Sequence, residues 1–349
     1  MAIVRMSKFS LFVFDSEREN LLHELQKFKY VHFLNLEEDE ELKEDGLEAL
    51  SIPEKIEEVN EEISKVNYAL NLLSKYYERE SGIKAMIQGK ETLTFEELEN
   101  RALAFDFLPV YKKLRELASE VDGYEQESTR LRTQREDLQL WEKLDYPIKD
   151  LNSLKQCEVY TGIVPTKMKD KLNEELLDLE YTYTEFINED KNNIYFFALT
   201  SKDETAKLNE ILRRNGYSSI KINGEKTPKE EIKAIDERLS QLREYKEKKI
   251  DEIKELSANV PNLEIYYEYL MNKKLRAAVS ENFLKTERVN VIEGYIPTEK
   301  AEEFTEIVKK SQKNAYYLEM QEAEKDDPNV PILLENSKFT ETFESLTSM

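Results

Sequence analysis

Few residues in this chain are of types that do chemistry, and their spacing argues against most of it. Cys157 is the one cysteine and His23 and His32 the two histidines. None of the three sits at a spacing that would hold zinc. Cys157 falls beside Val159, Tyr160 and Ile163 in a strand-like run, where a buried structural thiol is expected. A single cysteine excludes a disulfide framework and points to a reducing, intracellular compartment. Carboxylates crowd residues 37 to 48: Glu37, Glu38, Asp39, Glu40, Glu41, Glu44, Asp45 and Glu48. No glycine stands where a calcium loop needs one, and consecutive carboxylates cannot all converge on one ion. A solvated, mobile linker is expected there. No phosphate-binding loop, nucleophile elbow, HExxH or CxxC motif occurs. The sequence therefore predicts no catalytic, cofactor-binding or metal-binding residue, and no enzyme.

The elements around these residues are long helices. Ile52, Ile56, Val59, Ile63, Val66, Leu70, Leu73 and Tyr77 alternate at spacings of three and four, with Glu, Lys and Asn between them. Such a seam predicts a coiled-coil helix from Pro53 to about Glu80. Its expected partner lies near residues 228 to 256, where Ile232, Ile235, Leu239 and Leu242 form a second seam that slips between Tyr245 and Ile250. Ser81-Gly82 and Gly89 mark a loop between helices. Thr94 with Glu97, and Thr227 with Glu230, have capping-box spacing. A helical stretch from 94 to 144 is expected to break or kink near Leu108, because Pro109 removes an amide donor. At about 1.5 Å per residue the return path, 228 to 286, would span roughly 85 Å.

Either side of the helices the hydrophobic period shortens. Strand Ile3–Phe14, helix 17–29 and strand 30–36 make one β-α-β unit, without the glycine-rich turn that cradles phosphate. Strands at 157–164, 181–187, 194–199 and 217–222, with helices at 166–177 and 202–215, read β-α-β-β-α-β, the order of a ferredoxin-like fold. Residues 287 to 320 supply a second β-α-β that completes the first lobe. Gly162-Ile163-Val164-Pro165-Thr166 repeats as Gly294-Tyr295-Ile296-Pro297-Thr298, each at a strand-to-helix corner.

The predicted architecture is an α+β elongated dumbbell: two ferredoxin-like lobes joined by an antiparallel coiled-coil or helical-bundle bar. The proximal lobe takes 1–36 and 286–322, the bar 52–144 and 227–285, the distal lobe 150–226, and 323–349 form an extended tail. The chain carries 73 acidic against 51 basic side chains, a formal charge of −22. It repels phosphate backbones and anionic membranes, and favours a basic protein partner. No run reaches the ~18 apolar residues of a membrane span.

Three stretches together resemble the soluble N-terminal half of subunit I of V/A-type rotary ATPases, the counterpart of eukaryotic subunit a. They are Ile3-Val4-Arg5-Met6-Ser7-Lys8 with Leu21–Leu25 and Val31-His32; Val291 to Pro297, like the family's Gly-Trp-Val-Pro stretch with Tyr295 in place of Trp; and Asp327 to Asn336 followed by Phe339, Phe343 and Glu344. The resemblance implies a non-catalytic stator on the cytoplasmic face of a membrane complex. It implies as partners the peripheral-stalk E/G heterodimers, other ATPase subunits and the chain's own C-terminal membrane domain, with no nucleic acid and no small-molecule substrate. In the family the ion path and its essential arginine belong to the membrane half. Tyr181, Tyr183 and Phe186 are the candidate partner-binding residues, because the distal lobe carries more aromatics there than one small sheet face needs. The reading from another class is a cytosolic coiled-coil scaffold unrelated to ATPases.

Overall fold

The structure is a computed structural model that describes residues 2–37, 42–43, 46–79, 92–313, 315–323, 330–331 and 334–335. Most of the acidic run, the Ser81-Gly82 to Gly89 loop and most of the tail lie outside the described residues. The chain divides into two compact units, Met1–Lys112 with Leu256–Met349, and Lys113–Glu255. Both are mixed α/β, with antiparallel sheets and long helices.

In the first unit an antiparallel sheet runs in the order Tyr316–Glu322, Met6–Phe14, Val289–Pro297, Leu284–Lys285 and Glu48–Ala49, and His32–Phe33 also pairs with Val289–Pro297. Side chains alternate across a strand. Phe9, Leu11 and Val13 therefore share one face with Ile292 and Ile296, under Leu21, Leu22, Leu25 and Phe28 of helix Arg18–Phe28 and Phe304 and Val308 of helix Ala301–Gln312. Burying each such side chain contributes about 1.5–3 kcal/mol. On the opposite face, Leu36, Leu42 and Leu47 pack over Leu284 and Val291. The segment expected to be a solvated linker thus supplies an edge strand and part of a core. Ala2–Ile3 pairs separately with Leu334–Glu335.

Helix Pro53–Leu73 buries Val59, Ile63, Val66, Ala69 and Leu73. It packs against helix Val260–Ser280, as does helix Phe95–Ala104. This corrects the expected pairing with 228–256. The stripe Val260, Leu263, Leu270 and Ala277 provides the matching buried face. Rings of Tyr68, Tyr111, Phe107 and Tyr266 meet in series at 5.4–6.0 Å. The Tyr266 hydroxyl donates to Glu62 Oε1 at 2.6 Å. Burial, then Glu62, pushes the Tyr266 phenol above its ordinary range.

The helix break falls at Phe105 and Asp106 rather than at Leu108. Pro109 is instead the third residue of helix Phe107–Gln139, where the first-turn amides lack intrahelical partners anyway.

In the second unit the sheet order is Thr182–Glu189, Asn193–Ser201, Cys157–Pro165 and Ser218–Ser219. Val164, Phe196 and Ala198 pack under helices Lys169–Leu176 and Thr205–Arg214 through Leu172, Leu176, Leu208, Ile211 and Leu212. Ile187, Tyr195 and Phe197 face the other way, onto Trp141, Leu144, Ile148, Ile232 and Ile235. With cores on both faces, Asn193–Ser201 reads as a continuous apolar run.

Helix Pro228–Leu256 is unbroken and lies antiparallel to the helix before this sheet. Arg135 meets Asp236 (2.6 Å), Arg238 meets Glu127 (2.9 Å) and Lys249 meets Glu120 (3.1 Å). Where the seam slips, between Tyr245 and Ile250, Lys246 and Lys249 carry ion pairs to Glu125 and Glu120.

Four of the strand-to-helix corners among the described residues take one path. A three-residue turn ends on Glu17 (φ −105°, ψ −2°), Met168 (−98°, 2°), Glu204 (−99°, −6°) or Lys300 (−98°, 4°), and the helix follows. The repeated Gly-Xaa-Xaa-Pro-Thr stretches occupy two of these corners.

Candidate docking surface

The sequence singles out Tyr181, Tyr183 and Phe186, and the structure separates them. Thr182–Glu189 is the outer strand of its sheet. Tyr181 and Tyr183 are 69% and 50% exposed. Phe186 points to the other face and packs, half-buried, onto the core that holds Phe196. Alternation along the strand decides this: Tyr183 is an odd position with Ile187, and Phe186 an even one.

The Tyr183 ring meets Phe197 edge-on at 6.3 Å, and Tyr146 stacks on Phe197 at 5.8 Å and 19°. Tyr146 is itself 44% exposed. The Tyr183 hydroxyl donates to Glu185 Oε2 at 3.1 Å, which holds the phenol above its ordinary range. Among the described residues no strand pairs with the outer side of Thr182–Glu189, so the surface is an aromatic ledge beside a sheet edge.

Glu204 fixes the start of that edge. Its carboxylate accepts from the backbone N–H of Glu180 (2.9 Å), the N–H of Tyr181 (2.9 Å) and the Thr182 hydroxyl (2.7 Å). The Thr182 bond first, and the two amides with it, hold the Glu204 carboxyl below the usual carboxylate range. At the other end Asp190 accepts from the N–H of Asn192 and Asn193, both at 2.8 Å, and closes the hairpin into Asn193–Ser201. Sequence reasoning missed Glu204 and Tyr146. No spacing signals either one, since their partners lie tens of residues away in the chain.

Electrostatically the edge is one-sided. Asp178, Glu180, Glu185, Glu189 and Asp190 fall in a stretch without Lys or Arg. Lys169 pairs with Glu189 from the neighbouring helix.

The first unit holds a contrasting groove of about 260 Å³, lined by Glu19, His23, Lys55, Lys273 and Arg276 among others. Burial first, then the nearby Arg18, Lys273 and Arg276, pushes the Lys55 ammonium below its ordinary range. Glu19 pairs with Lys55, and His23 Nε2 lies 2.7 Å from Glu99 Oε2. Lys55 is thus answered by a carboxylate of the same unit, and Arg276 donates to Gln26 Oε1 at 3.1 Å. Cys157 is half-buried, not fully buried as expected. Among the described residues no group of three or more His, Cys, Asp or Glu side chains could hold a metal ion. Among them, too, no helix is long and apolar enough to cross a membrane.

Paired long helices and antiparallel sheets define a mixed α/β chain. No protein-family model matches it. Over its whole length it is 24% identical to A-type ATP synthase subunit I of Methanocaldococcus jannaschii, of which the alignment covers 53%. It is also 24% identical, over 61% of its length, to 33% of A-type ATP synthase subunit I of Pyrococcus horikoshii. The chain is a homologue of A-type ATP synthase subunit I, and it spans about half the length of the first of these curated relatives. A crystal structure of the cytoplasmic N-terminal domain of subunit I, homologue of subunit a of V-ATPase, aligns with 90% of this chain and 100% of its own at 15% identity and a TM-score of 0.45.

Proposed function

We propose that this chain is a non-catalytic stator piece of a V/A-type ATPase. It anchors peripheral-stalk E/G heterodimers to the ion-translocating membrane sector, so that rotor torque is coupled to proton or sodium transport. Its place is the cytoplasmic face of the membrane, beside other ATPase subunits and its own membrane domain. Homology to A-type ATP synthase subunit I along the whole chain carries this reading.

Both sheets support calling the lobes ferredoxin-like. With the four main strands of each numbered in chain order, the spatial order is 4-1-3-2 in both, as β-α-β-β-α-β folds require. The elongated dumbbell with a coiled-coil bar belongs to the same proposal, and so does the division at 36, 52, 144, 150, 226 and 285. Small-angle scattering tests that shape.

Tyr181, Tyr183 and Phe186 are proposed as stalk-contacting residues. The exposure of the two tyrosines supports them, whereas the half-buried Phe186 contributes mainly by holding the strand. The deciding experiment is a pull-down of this chain with co-expressed E and G subunits, with cross-links mapped by mass spectrometry. Cross-links to either lobe are expected. A folded chain that captures no E/G overturns the reading.

A further inference from the structure

We infer that the edge strand Thr182–Glu189 takes up an extended, basic segment of a partner chain as an added β-strand, with Tyr181 and Tyr183 as its anchors. The inference deepens the proposed docking role and rests on it for the identity of the partner. The open edge, the aromatic ledge, the fixed strand start and the charge each support it.

The edge is unguarded where it matters. Folded proteins blunt outer strands with Lys, Pro, bulges or covering loops. From Tyr181 to Phe186 there is neither Lys nor Pro, and the one register irregularity comes only after Phe186. The backbone geometry says which groups are free. Ser201 N–H donates to Tyr181 O at 3.1 Å. Groups alternate along an antiparallel strand, so Tyr183 also faces the ladder while Thr182 and Thr184 turn outward. A helix laid against this edge would leave those amides and carbonyls unpaired. A strand satisfies them in register.

The side chains supply the anchor. On an added strand, alternate residues would cover Tyr183 and the Tyr146–Phe197 stack, while Tyr181 flanks the entry. Large aromatic side chains lose few rotamers when covered and carry much of the energy of such contacts. The strand is also held in advance. Glu204 grips its first amides and the Thr182 hydroxyl, so little ordering remains to be done on binding.

Charge selects the segment. Five carboxylates lie between Asp178 and Asp190 with no cation among them, and Lys169 answers one of them, Glu189. A segment with Lys or Arg at alternate positions is steered in, and an acidic one is repelled.

The test uses the full chain and three probes: the E/G heterodimer, an acetylated peptide of alternating Lys and Val, and its Glu-Val counterpart. Hydrogen–deuterium exchange and binding titrations are read on the native chain, on Thr184→Pro and on Tyr181→Ala/Tyr183→Ala. Proline is tolerated on an edge strand where its nitrogen faces solvent. Thr184→Pro should therefore keep the fold by circular dichroism while blocking the added strand. The expected result is slowed exchange at residues 182–186 on binding the Lys-Val peptide, a loss of affinity of about tenfold or more in both variants, and no binding of the Glu-Val peptide. If folded Thr184→Pro binds as tightly as the native chain, strand addition is wrong, whether or not E/G docks elsewhere. If the native chain ignores E/G yet the Lys-Val peptide slows exchange at 182–186, the stalk reading fails and the strand site stands. If neither probe slows exchange there, the strand site is wrong.

Discussion

Gly162 and Gly294 hold the same place in two different sheets. A Cβ on Gly162 would lie 2.2 Å from Ser218 O, and one on Gly294 would lie 2.4 Å from His32 O. Each glycine sits on a central strand, four residues before the Thr that opens the helix corner, where the short fourth or second strand crosses close. The repeated Gly-Xaa-Xaa-Pro-Thr therefore records a steric demand made twice.

Gly162→Ala and Gly294→Ala should each destabilise the unit they belong to by about 1–3 kcal/mol, the usual range for overpacking against a backbone that cannot give way. Gly123→Ala is the control. Gly123 is in a helix interior, and a methyl group there would meet nothing within 4 Å. Its replacement should stabilise by about 0.5–1 kcal/mol. Urea unfolding, followed by circular dichroism and by Trp141 fluorescence, measures all three.

Leu73 ends the buried stripe of helix Pro53–Leu73 and is fully buried. Leu73→Ala should cost about 2–5 kcal/mol by removing that side chain and leaving a cavity. Leu103, 66% exposed on helix Phe95–Ala104, should tolerate Ala within about 0.5 kcal/mol. Equal losses at both sites in thermal unfolding would mean that the stripe is not the packed face.

Glu204 should make the second unit sensitive to acid. Its carboxyl is held below its ordinary range in the fold, so its contribution is complete above about pH 4.3, the unfolded value. It is lost as the pH falls through the lower, folded value. Glu204→Gln should therefore lower the urea midpoint at pH 7, and the gap to the native chain should narrow progressively as the pH falls below about 4.3. A gap independent of pH would mean that the charge of Glu204 is irrelevant to the clamp.

Tyr266 gives the opposite sign. Burial and Glu62 raise its phenol above the ordinary value, so its contribution is complete below about pH 10 and is lost as the pH rises further. Tyr266→Phe leaves Glu62 without that donor and should cost about 1.5–3 kcal/mol near pH 7, the range for hydrogen bonds to charged groups. The loss should shrink in strongly alkaline solution, as read from midpoints between pH 8 and 11.

What the sequence made legible was local. The capping boxes at Thr94 and Thr227 form as their spacing predicts. The stripe through Val59, Ile63 and Val66 is buried, and the strands at 157, 194 and 289 fall where β-branched and aromatic residues cluster. What it hid was pairing. Nothing in the heptad spacing of residues 52 to 77 distinguishes Val260–Ser280 from Pro228–Leu256, because both offer apolar residues at helical intervals. Short strands such as His32–Phe33 and Ser218–Ser219 are set by which neighbour lies alongside, so expected runs of six or seven residues shrank to two. At the candidate site, exposure of Tyr181 and Tyr183 followed from excess aromatics. The separation of Phe186 needed only strand alternation. Glu204 could not be found without the fold, because its partners Glu180, Tyr181 and Thr182 lie more than twenty residues earlier in the chain.

Strand Met6–Phe14 pairs with Val289–Pro297 and Tyr316–Glu322, and the whole of the second unit, Lys113–Glu255, is inserted between them. A ribosome adding about 5–20 residues per second needs roughly 15–55 s to travel from Phe14 to Val289. For most of that interval Phe9, Leu11 and Val13 are outside the exit tunnel without the strands that will pair with theirs. The sheet of the second unit closes within residues 157 to 219, so it can be complete while its host is still waiting. The order of birth is inside first, outside last, and the N-terminal strand is the stretch of nascent chain that most needs shielding by a chaperone.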